Sequence, residues 1–326
     1  MTAENDRMAI ELRHDLEERR VLVVTNMYPD AEHPHHGTFV QEQVTRLRRR
    51  GLHVDVLLVG GQRRKLSYVD GVRSFRRHIR KNRYDLIHAH YVFSGVVARL
   101  QRSHPLVISF HGAGEMAGWV GWLCRALAPF ADAVTVTSHE HKHQLGHQAS
   151  HVIPCGVDLD LFVPLPRQEA RKKVGLPSQQ RLVLFVGILR PEKRLDIIEA
   201  AVELLRDDLP DVELVVATRQ PHERIPWYMN ACDVLALASD HEGSPVVIKE
   251  AMACNLPIVS VDVGDVAEVI GDTEGCYLCR RDPADMARKL GLALNRDQRT
   301  TGRSIIQRLS LESTLEGVLH IYEALW

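Results

Sequence analysis

Two glutamates frame the segment whose residue types are best suited to chemistry. From Glu242 to Ser260 the chain reads EGSPVVIKEAMACNLPIVS. Pro245 can open a helix that Ser244 caps, because proline has no N–H to lose at the first helical position. The free N–H groups and the positive dipole at such a helix start favour a phosphate group. Gly243 lets the backbone approach that group closely.

The spacing of Glu242 and Glu250 suits the recognition of hydroxyl groups. Given the rise per helical residue, their carboxylates would lie roughly 8–12 Å apart and flank the phosphate site. A carboxylate that accepts hydrogen bonds from two hydroxyls can hold a sugar on one side or a ribose on the other. A capping acid followed by a surface glutamate has the same spacing, so the spacing alone leaves both interpretations open.

The elements that must position these residues follow a βαβ pattern. Apolar, β-branched runs predict strands over 20–26, 53–59, 85–90, 106–110, 133–137, 182–187, 212–217, 233–237 and 257–260. Helical patterns lie between most of them, over 38–51, 191–206, 245–254 and 283–295 among others. This alternation predicts an α/β architecture with parallel, doubly wound sheets.

The length of 326 residues suits two domains of this kind. Three prolines and a glycine in 152–166 predict a linker. The predicted organisation is a charged lead-in over 1–19, a Rossmann-like domain over 20–160 and a second over 161–302. One amphipathic helix over 303–326 ends the chain and can pack back toward the first domain.

Positive charge is concentrated near the start of the chain, although the net charge is only −1. Residues 46–83 contain 13 Lys and Arg, with Asp55 and Asp70 as the acids of that segment. Such a patch suits anionic lipid head groups, while solvated helix faces explain it equally well. We expect no nucleic-acid partner, because no aromatic interleaving or binding motif accompanies the charge.

Hydropathy predicts neither a membrane span nor a signal peptide. The sequence has no run of about 18 apolar residues, and its charged start lacks the apolar centre of a signal peptide. We therefore expect a cytoplasmic protein that contacts an anionic membrane peripherally, at its inner face, through the basic first domain.

Neither cysteine nor histidine spacing predicts a metal site. Cys276 and Cys279 form a C-x-x-C without a second pair, and the six cysteines are otherwise scattered. His139, His143 and His147 have helical spacing, but a polar helix face explains them better than a transition metal. We expect no metal and no cofactor.

The segment from Glu242 to Ser260 resembles the signature of retaining glycosyltransferases of family 4, in which E-x₇-E precedes AMAC and PIVS. Further segments resemble the same family in the family's order: GTFVQEQ (37–43), DLIHAHY (85–91), SFHG (109–112), VIPCGVDLDLF (152–162) and FVGILRPEKR (185–194). The resemblance runs from about residue 20 to the C-terminus. It implies the GT-B fold, with two Rossmann-like doubly wound parallel-sheet domains facing a central cleft that binds a nucleoside-diphosphate sugar.

The resemblance also implies roles for the donor-binding residues. Glu250 would hold the ribose hydroxyls, and Glu242 the transferred sugar. The remaining donor-binding positions, which would lie against the diphosphate, are Gly37, Gly243, Ser244, Pro245 and Val246.

Four further residues receive catalytic or acceptor roles from the resemblance. Arg190 and Lys193 would neutralise the charge that develops on the departing diphosphate, a stabilisation that is largest in the transition state. His111 would approach the transferred sugar, and His90 would line the acceptor side.

Two departures from the family pattern affect the donor site. Ile188 stands where the family commonly has arginine, and Arg190 can take over that contact. Only 15 residues separate the predicted strands 212–217 and 233–237, where the family has a further βα unit. Thr218–His222 would then hold the nucleobase, whose identity stays open.

The expected activity is retaining transfer of a sugar from a UDP-sugar or GDP-sugar to a hydroxyl of a glycan or lipid-linked acceptor. One alternative is a nucleotide-sugar 2-epimerase of the same architecture, and another is a non-catalytic scaffold that binds sugar nucleotides. A nicotinamide-dependent dehydrogenase is disfavoured, because no G-x-G-x-x-G follows the strand over 20–26.

Overall fold

The computed structural model describes residues 18–29, 36–60, 67–296 and 298–326. The chain forms two compact units, of which the first comprises Met1–Ile153 and Thr314–Trp326, and the second Pro154–Ser313. The change from the first unit to the second falls inside the predicted linker and shortly before the predicted boundary at residue 160. Most of the charged lead-in predicted over 1–19 lies outside the described residues.

Six parallel strands form the sheet of the first unit, in the order β2-β1-β3-β4-β5-β6. They are β1 (Arg20–Thr25), β2 (His53–Leu58), β3 (Leu86–His90), β4 (Leu106–Phe110), β5 (Ala133–Val136) and β6 (His151–Val152). Every residue of β3 and β4 is buried, as expected for parallel strands that are covered on both faces. Strand β1 lies between β2 and β3, with Val23 opposite Val56 on one side and His88 on the other.

Helices cover both faces of this sheet. They are α1 (Thr38–Arg49), α2 (Ser67–Lys81), α3 (Val92–Ala98), α4 (Gly118–Leu127) and α5 (His139–Leu145). Phe75 of α2 and Leu127 of α4 share one core with Leu22 of the sheet. Val44 of α1 and Leu319 from the end of the chain belong to a different core. Helices α2, α3 and α4 therefore lie in one layer, to which α5 contributes Leu145, and α1 with Thr314–Trp326 forms the other.

Five parallel strands form the sheet of the second unit, in the order β11-β10-β9-β7-β8. They are β7 (Arg181–Val186), β8 (Val212–Ala217), β9 (Val234–Leu237), β10 (Ile258–Val261) and β11 (Cys276–Cys279). The helices are α6 (Arg167–Val174), α7 (Leu195–Leu205), α8 (Ile225–Ala231), α9 (Val246–Ala253), α10 (Val266–Ile270), α11 (Pro283–Leu294) and α12 (Gly302–Ile306). A last helix, α13 (Leu311–Glu323), follows. No helix in the described part of the chain has the length and apolar character needed to cross a bilayer.

Two helices predicted from periodicity are interrupted. The helix predicted over 191–206 is a 3₁₀ turn over Pro191–Lys193 followed by α7, because Arg194 between them adopts a left-handed conformation with φ 50°. The single helix predicted over 303–326 is also wrong. Ser310 is extended between α12 and α13, and its hydroxyl accepts a hydrogen bond from the N–H of Ser313.

Candidate functional site

The strand order of the second unit creates a place for a ligand between β7 and β9. From β7 the chain goes to β8 on one side and then crosses back to β9 on the other side. Ligands of open α/β sheets bind outside the carboxyl ends of the strands at such a switch point. The loops that follow β7 and β9 carry the predicted residues 187–194 and 238–245.

Lys193 and Glu242, from these two loops, form an ion pair. The Lys193 Nζ lies 2.6 Å from Glu242 Oε1, and the two side chains are 28% and 15% exposed. The backbone joins the loops as well, since the N–H of Asp240 donates to the Glu192 carbonyl at 2.8 Å. Two side chains that are 49 residues apart are thus held together at the switch point.

Arg190 is less closely tied to this pair. Its side chain is 58% exposed, and its ion-pair partner at 3.8 Å is Glu192 rather than Glu242. Ile188 and the neighbouring Leu189 are also exposed. Of the two predicted cations, Lys193 is therefore the one that the fold positions directly beside a second site residue.

Glu250 is held by His222, the last residue of the segment that was expected to hold the nucleobase. Its Oε1 lies 2.9 Å from His222 Nε2, and the glutamate side chain is 8% exposed. His222 comes from the loop after β8, and its ring packs against Phe162 at 5.3 Å between centroids. The position of His222 in the segment 218–222 indicated that it could lie at the donor site, but residue spacing could not predict its pairing with Glu250.

Helix α9 begins one residue later than predicted, at Val246, and Ser244 does not cap it. The Ser244 hydroxyl instead donates to Asp265 Oδ2 at 2.6 Å. It also accepts hydrogen bonds from Lys249 Nζ at 2.7 Å and from the Cys155 N–H at 3.1 Å. Buried charges are costly unless they are hydrogen-bonded, so the Ser244 hydroxyl bonds to Asp265 and Lys249 instead of capping the helix. The start of α9 has no side-chain cap.

Lys249 and Asp265 form a buried ion pair behind the Ser244 hydroxyl. The lysine Nζ lies 2.8 Å from Asp265 Oδ2, and the two side chains are almost completely inaccessible to solvent. Sequence reasoning missed both residues. The available signal was a lysine inside an otherwise apolar helix, which needs a partner wherever it is buried.

Gly264 brings the loop after β10 against the candidate phosphate site. Its φ is 63°, and a Cβ added there would lie 2.7 Å from the carbonyl oxygen of Gly243. Only glycine combines this conformation with so close an approach. The position of Gly243 is therefore determined by its own loop and by the loop after β10.

The first unit has a corresponding switch point between β1 and β3. Strand β2 lies on one side of β1, and the chain then crosses back to β3 on the other side. Gly37, with φ 72°, follows β1, and a Cβ there would lie 2.4 Å from the Met27 carbonyl oxygen. The ring of Phe39, at the start of α1, lies 4.7 Å from His111, and that of Tyr91 lies 5.4 Å from it.

His111 and His90 contact each other at this edge. Nε2 of His111 lies 2.8 Å from Nδ1 of His90, and His90 is fully buried. Burial lowers the pKa of His111 to about 3 and lowers that of His90 well below its ordinary value. Both rings are therefore neutral at pH 7, so one donates and the other accepts. The outer ring nitrogens, His111 Nδ1 and His90 Nε2, are buried without a partner among the described residues.

Glu115 fixes the backbone that carries His111. Its carboxylate accepts hydrogen bonds from the N–H groups of His111 at 2.8 Å, Gly112 at 3.2 Å and Val92 at 3.0 Å. Burial raises the pKa of this carboxyl, while the three N–H groups oppose the shift. The sequence signal was a glutamate at the third position of the short turn Ala113–Met116, where it can satisfy free N–H groups.

Helix geometry and burial account for the histidine run and the C-x-x-C. Helix α5 ends at Leu145, before His147, and His141 is buried with its ring against Thr137. Cys276 and Cys279 are free thiols whose pKa burial raises to about 12. Within the described ranges, no group of three or more His, Cys, Asp or Glu side chains could hold a metal ion.

Comparison with known proteins gives a family for both units. Residues 6–161 match the family Glycosyltransferase Family 4, and residues 180–296 match Glycosyl transferases group 1. TuaC of Bacillus subtilis, a candidate glycosyltransferase of teichuronic acid biosynthesis, is 26% identical in an alignment that covers 77% of this chain and 83% of TuaC. The D-inositol 3-phosphate glycosyltransferase of Nocardia farcinica is 30% identical in an alignment that covers 74% of this chain and 67% of that protein.

A solved structure extends this similarity to the fold. Anabaena HepE in complex with UDP and glucose aligns with a TM-score of 0.74 and 19% identity. The alignment covers 94% of this chain and 100% of that one.

Proposed function

The chain belongs to glycosyltransferase family 4 and has the GT-B fold, and we propose that it is a retaining enzyme that uses a nucleoside-diphosphate sugar. The observation that carries the proposal is the pair of contacts at the switch point of the second unit, Lys193 with Glu242 and His222 with Glu250. They provide a cation and two oriented carboxylates around an uncapped helix start.

The proposed donor site follows from the chemistry of these groups. The diphosphate binds at Gly243, Ser244 and the start of α9, where free N–H groups and the helix dipole favour an anion. Ser244 contributes its backbone, because its hydroxyl is already occupied by Asp265 and Lys249. Glu250, oriented by His222, accepts the ribose hydroxyls, and Glu242 accepts hydroxyls of the transferred sugar.

The proposed reaction needs no protein nucleophile and no metal. The acceptor oxygen bonds to the anomeric carbon as the bond from that carbon to the diphosphate breaks, on the same face of the sugar. The acceptor proton passes to the departing diphosphate, whose charge Lys193 neutralises. His111 is assigned to hydroxyls of the transferred sugar as a neutral hydrogen-bonding group. His90, predicted to line the acceptor side, is fully buried and supports the His111 ring instead.

The acceptor is proposed only as a class, a glycan or a lipid-linked intermediate. The names of TuaC and of the Nocardia enzyme refer to teichuronic acid biosynthesis and to D-inositol 3-phosphate, which are chemically different, so they favour no single acceptor. For the donor, HepE was solved with UDP and glucose, which supports testing UDP-sugars first and GDP-sugars second.

The test is calorimetric titration with UDP, GDP and ADP in the absence of added metal. We expect micromolar binding of one nucleotide, a loss of at least tenfold in affinity for Glu250→Gln, and no loss for the exposed Glu169→Gln of α6. Lys193→Met should lower kcat/KM at least a hundredfold, because it removes charge stabilisation in the transition state.

Product analysis then separates the alternatives. Transfer with the donor's anomeric configuration supports the proposal, and release of an epimerised sugar would replace it with the epimerase. Binding without turnover of any donor would indicate a scaffold, and no nucleotide binding would overturn the donor site.

A further inference from the structure

The layer formed by α2, α3 and α4 carries most of the exposed apolar surface of the first unit. We call the outer side of this layer, from Ser67 to Phe130, the α2–α4 face. The large hydrophobic side chains exposed on it are Val69, Val96, Leu100, Trp119, Trp122 and Phe130. In the described part of the first unit, Leu58 is the other exposed large hydrophobic residue, and α1 and Thr314–Trp326 have none. The asymmetry marks the α2–α4 face as a surface for interaction.

Trp119 and Trp122 dominate this apolar surface. They are 67% and 65% exposed, and their spacing of three residues puts both on one side of α4. The Trp119 ring packs against Phe93 of α3 at 5.8 Å, and Phe93 packs against Tyr68 of α2 at 5.6 Å. Trp119 is therefore connected across α3 to the basic helix α2.

A basic hollow lies on the same face. It has a volume of about 370 Å³ and is lined by five basic side chains of α2: Arg73, Arg76, Arg77, Arg80 and Lys81. Asp70 is the one acidic residue of this helix. It lies 3.5 Å from Arg73, but both side chains are about three-quarters exposed, so the pair neutralises little. Helix α3 has no charged residue, and Arg125 is the one charged residue of α4.

We propose that the α2–α4 face docks onto an anionic lipid membrane. Trp119 and Trp122 enter the interface between head groups and acyl chains, which is where tryptophan concentrates in membrane proteins. The basic hollow binds the lipid phosphates, so an apolar and an electrostatic contribution act together. A single-stranded nucleic acid fits less well, because its bases need aromatic rings among the cations, whereas here the tryptophans and arginines lie on different helices.

The proposal gives the basic side chains of α2 a partner, the lipid phosphates. The basic segment 46–83 by itself was explained equally well by solvated helix faces. Membrane docking does not depend on the proposed transferase activity, and either can fail without the other.

The test uses the full chain and sedimentation with vesicles of phosphatidylcholine, with or without about one-third phosphatidylglycerol. We expect binding to the anionic vesicles that weakens with added salt, because surface charges are screened. Trp119→Ser/Trp122→Ser and Arg76→Glu/Arg77→Glu should each weaken binding at least fivefold. The matched control, Lys172→Glu/Lys173→Glu on α6, makes the same charge change on the second unit and should bind as the parent does.

Two further measurements test the folding of the variants and the insertion of the tryptophans into the membrane. Nucleotide binding should be unchanged in all three double variants, which shows that they are folded and that the donor site is intact. Tryptophan emission should shift to shorter wavelength with anionic vesicles, and Trp119→Phe/Trp122→Phe should abolish the shift.

Equal binding to neutral vesicles, or unchanged binding by the tryptophan variant, would overturn the proposal. Binding of single-stranded DNA at physiological salt without any binding to vesicles would replace the membrane with a nucleic-acid partner.

Discussion

Lys249 illustrates how the candidate donor site is held at the scale of single residues. Its ammonium group is fully buried and is satisfied by Asp265 and by the Ser244 hydroxyl. Burying such a charge is favourable only when a partner of opposite charge is present with good geometry. Lys249 and Asp265 hold the Ser244 hydroxyl by hydrogen bonds on the buried side. The backbone of Ser244 is thereby left to contact a ligand.

Removing one member of this pair should destabilise the protein strongly. Lys249→Met leaves the Asp265 carboxylate buried without its counter-ion and should cost about 3–5 kcal/mol in the free energy of unfolding. Lys249→Met/Asp265→Leu removes both charges and should cost clearly less than the sum of the two single variants. Denaturant titration measures all three.

The exposed pair Arg73–Asp70 provides the comparison. Arg73→Met should change the free energy of unfolding by no more than about 0.5 kcal/mol. If the two single variants at Lys249 and Asp265 lowered the free energy of unfolding additively in the double variant, the two buried charges would not be coupled.

At the scale of elements, loops rather than helices decide the geometry of the candidate site. Arg194 in its left-handed conformation separates the turn that carries Lys193 from α7. Gly264 places the loop after β10 in contact with Gly243. Each loop is anchored at the carboxyl end of a buried strand, which explains how short segments hold defined positions.

Gly264→Ala should impair nucleotide binding as well as stability. The new Cβ would meet the Gly243 carbonyl at 2.7 Å, in a conformation that already disfavours alanine. Because Gly243 must move, we expect at least a tenfold loss of nucleotide affinity in calorimetry, together with a lower Tm.

Gly175→Ala is the matched control. Gly175 has a φ of 74° in the same unit, but a Cβ there would meet no atom within 4 Å. It should lower Tm through the backbone conformation alone and leave nucleotide affinity unchanged. Equal losses of affinity in the two variants would show that the contact with Gly243 is unimportant.

At the scale of the whole molecule, the end of the chain completes the first unit. Tyr322 is fully buried, and its hydroxyl lies 2.6 Å from His88 Nδ1, while His88 Nε2 lies 2.6 Å from Ser109. The His88 ring stacks on His90 at 4.3 Å, and His90 contacts His111. The last helix is thus connected through buried histidines to the carboxyl edge of the sheet.

This arrangement should make stability depend on pH. Burial lowers the pKa of His88 from 6.5 to about 3. Between these two pH values the His88 imidazole is protonated in the unfolded chain and neutral in the folded chain. The stabilisation from neutral His88 is complete above pH 6.5 and is lost as the pH falls toward 3. At pH 5 the loss should be on the order of 2 kcal/mol from this residue.

Urea unfolding at pH 7 and pH 5 measures this dependence. His88→Gln should unfold more easily at pH 7 but lose less stability than the parent on acidification. His139→Gln, at an exposed position on α5, should follow the parent. An unchanged pH dependence in His88→Gln would refute the assignment.

The sequence by itself determined nine of the eleven described strands, all but β6 and β11, and the approximate position of the candidate donor site. Continuous apolar runs predict parallel strands because both faces of such strands are covered, and these strands are present. Lys193 and Glu242 could be expected together, because loops at the carboxyl ends of parallel strands meet at one edge. These features depend on local periodicity and on the rules of parallel sheets.

Tertiary structure alone decided which partners satisfy the polar groups and which surfaces stay uncovered. Ser244 prefers Asp265, 21 residues away, to a helix cap, and His222 lies 28 residues from Glu250. The exposure of Trp119 likewise has no local signal. Burial of a polar group is a property of the packed chain, and the penalty for leaving that group unpaired selects its partner only after the distant segments have come together.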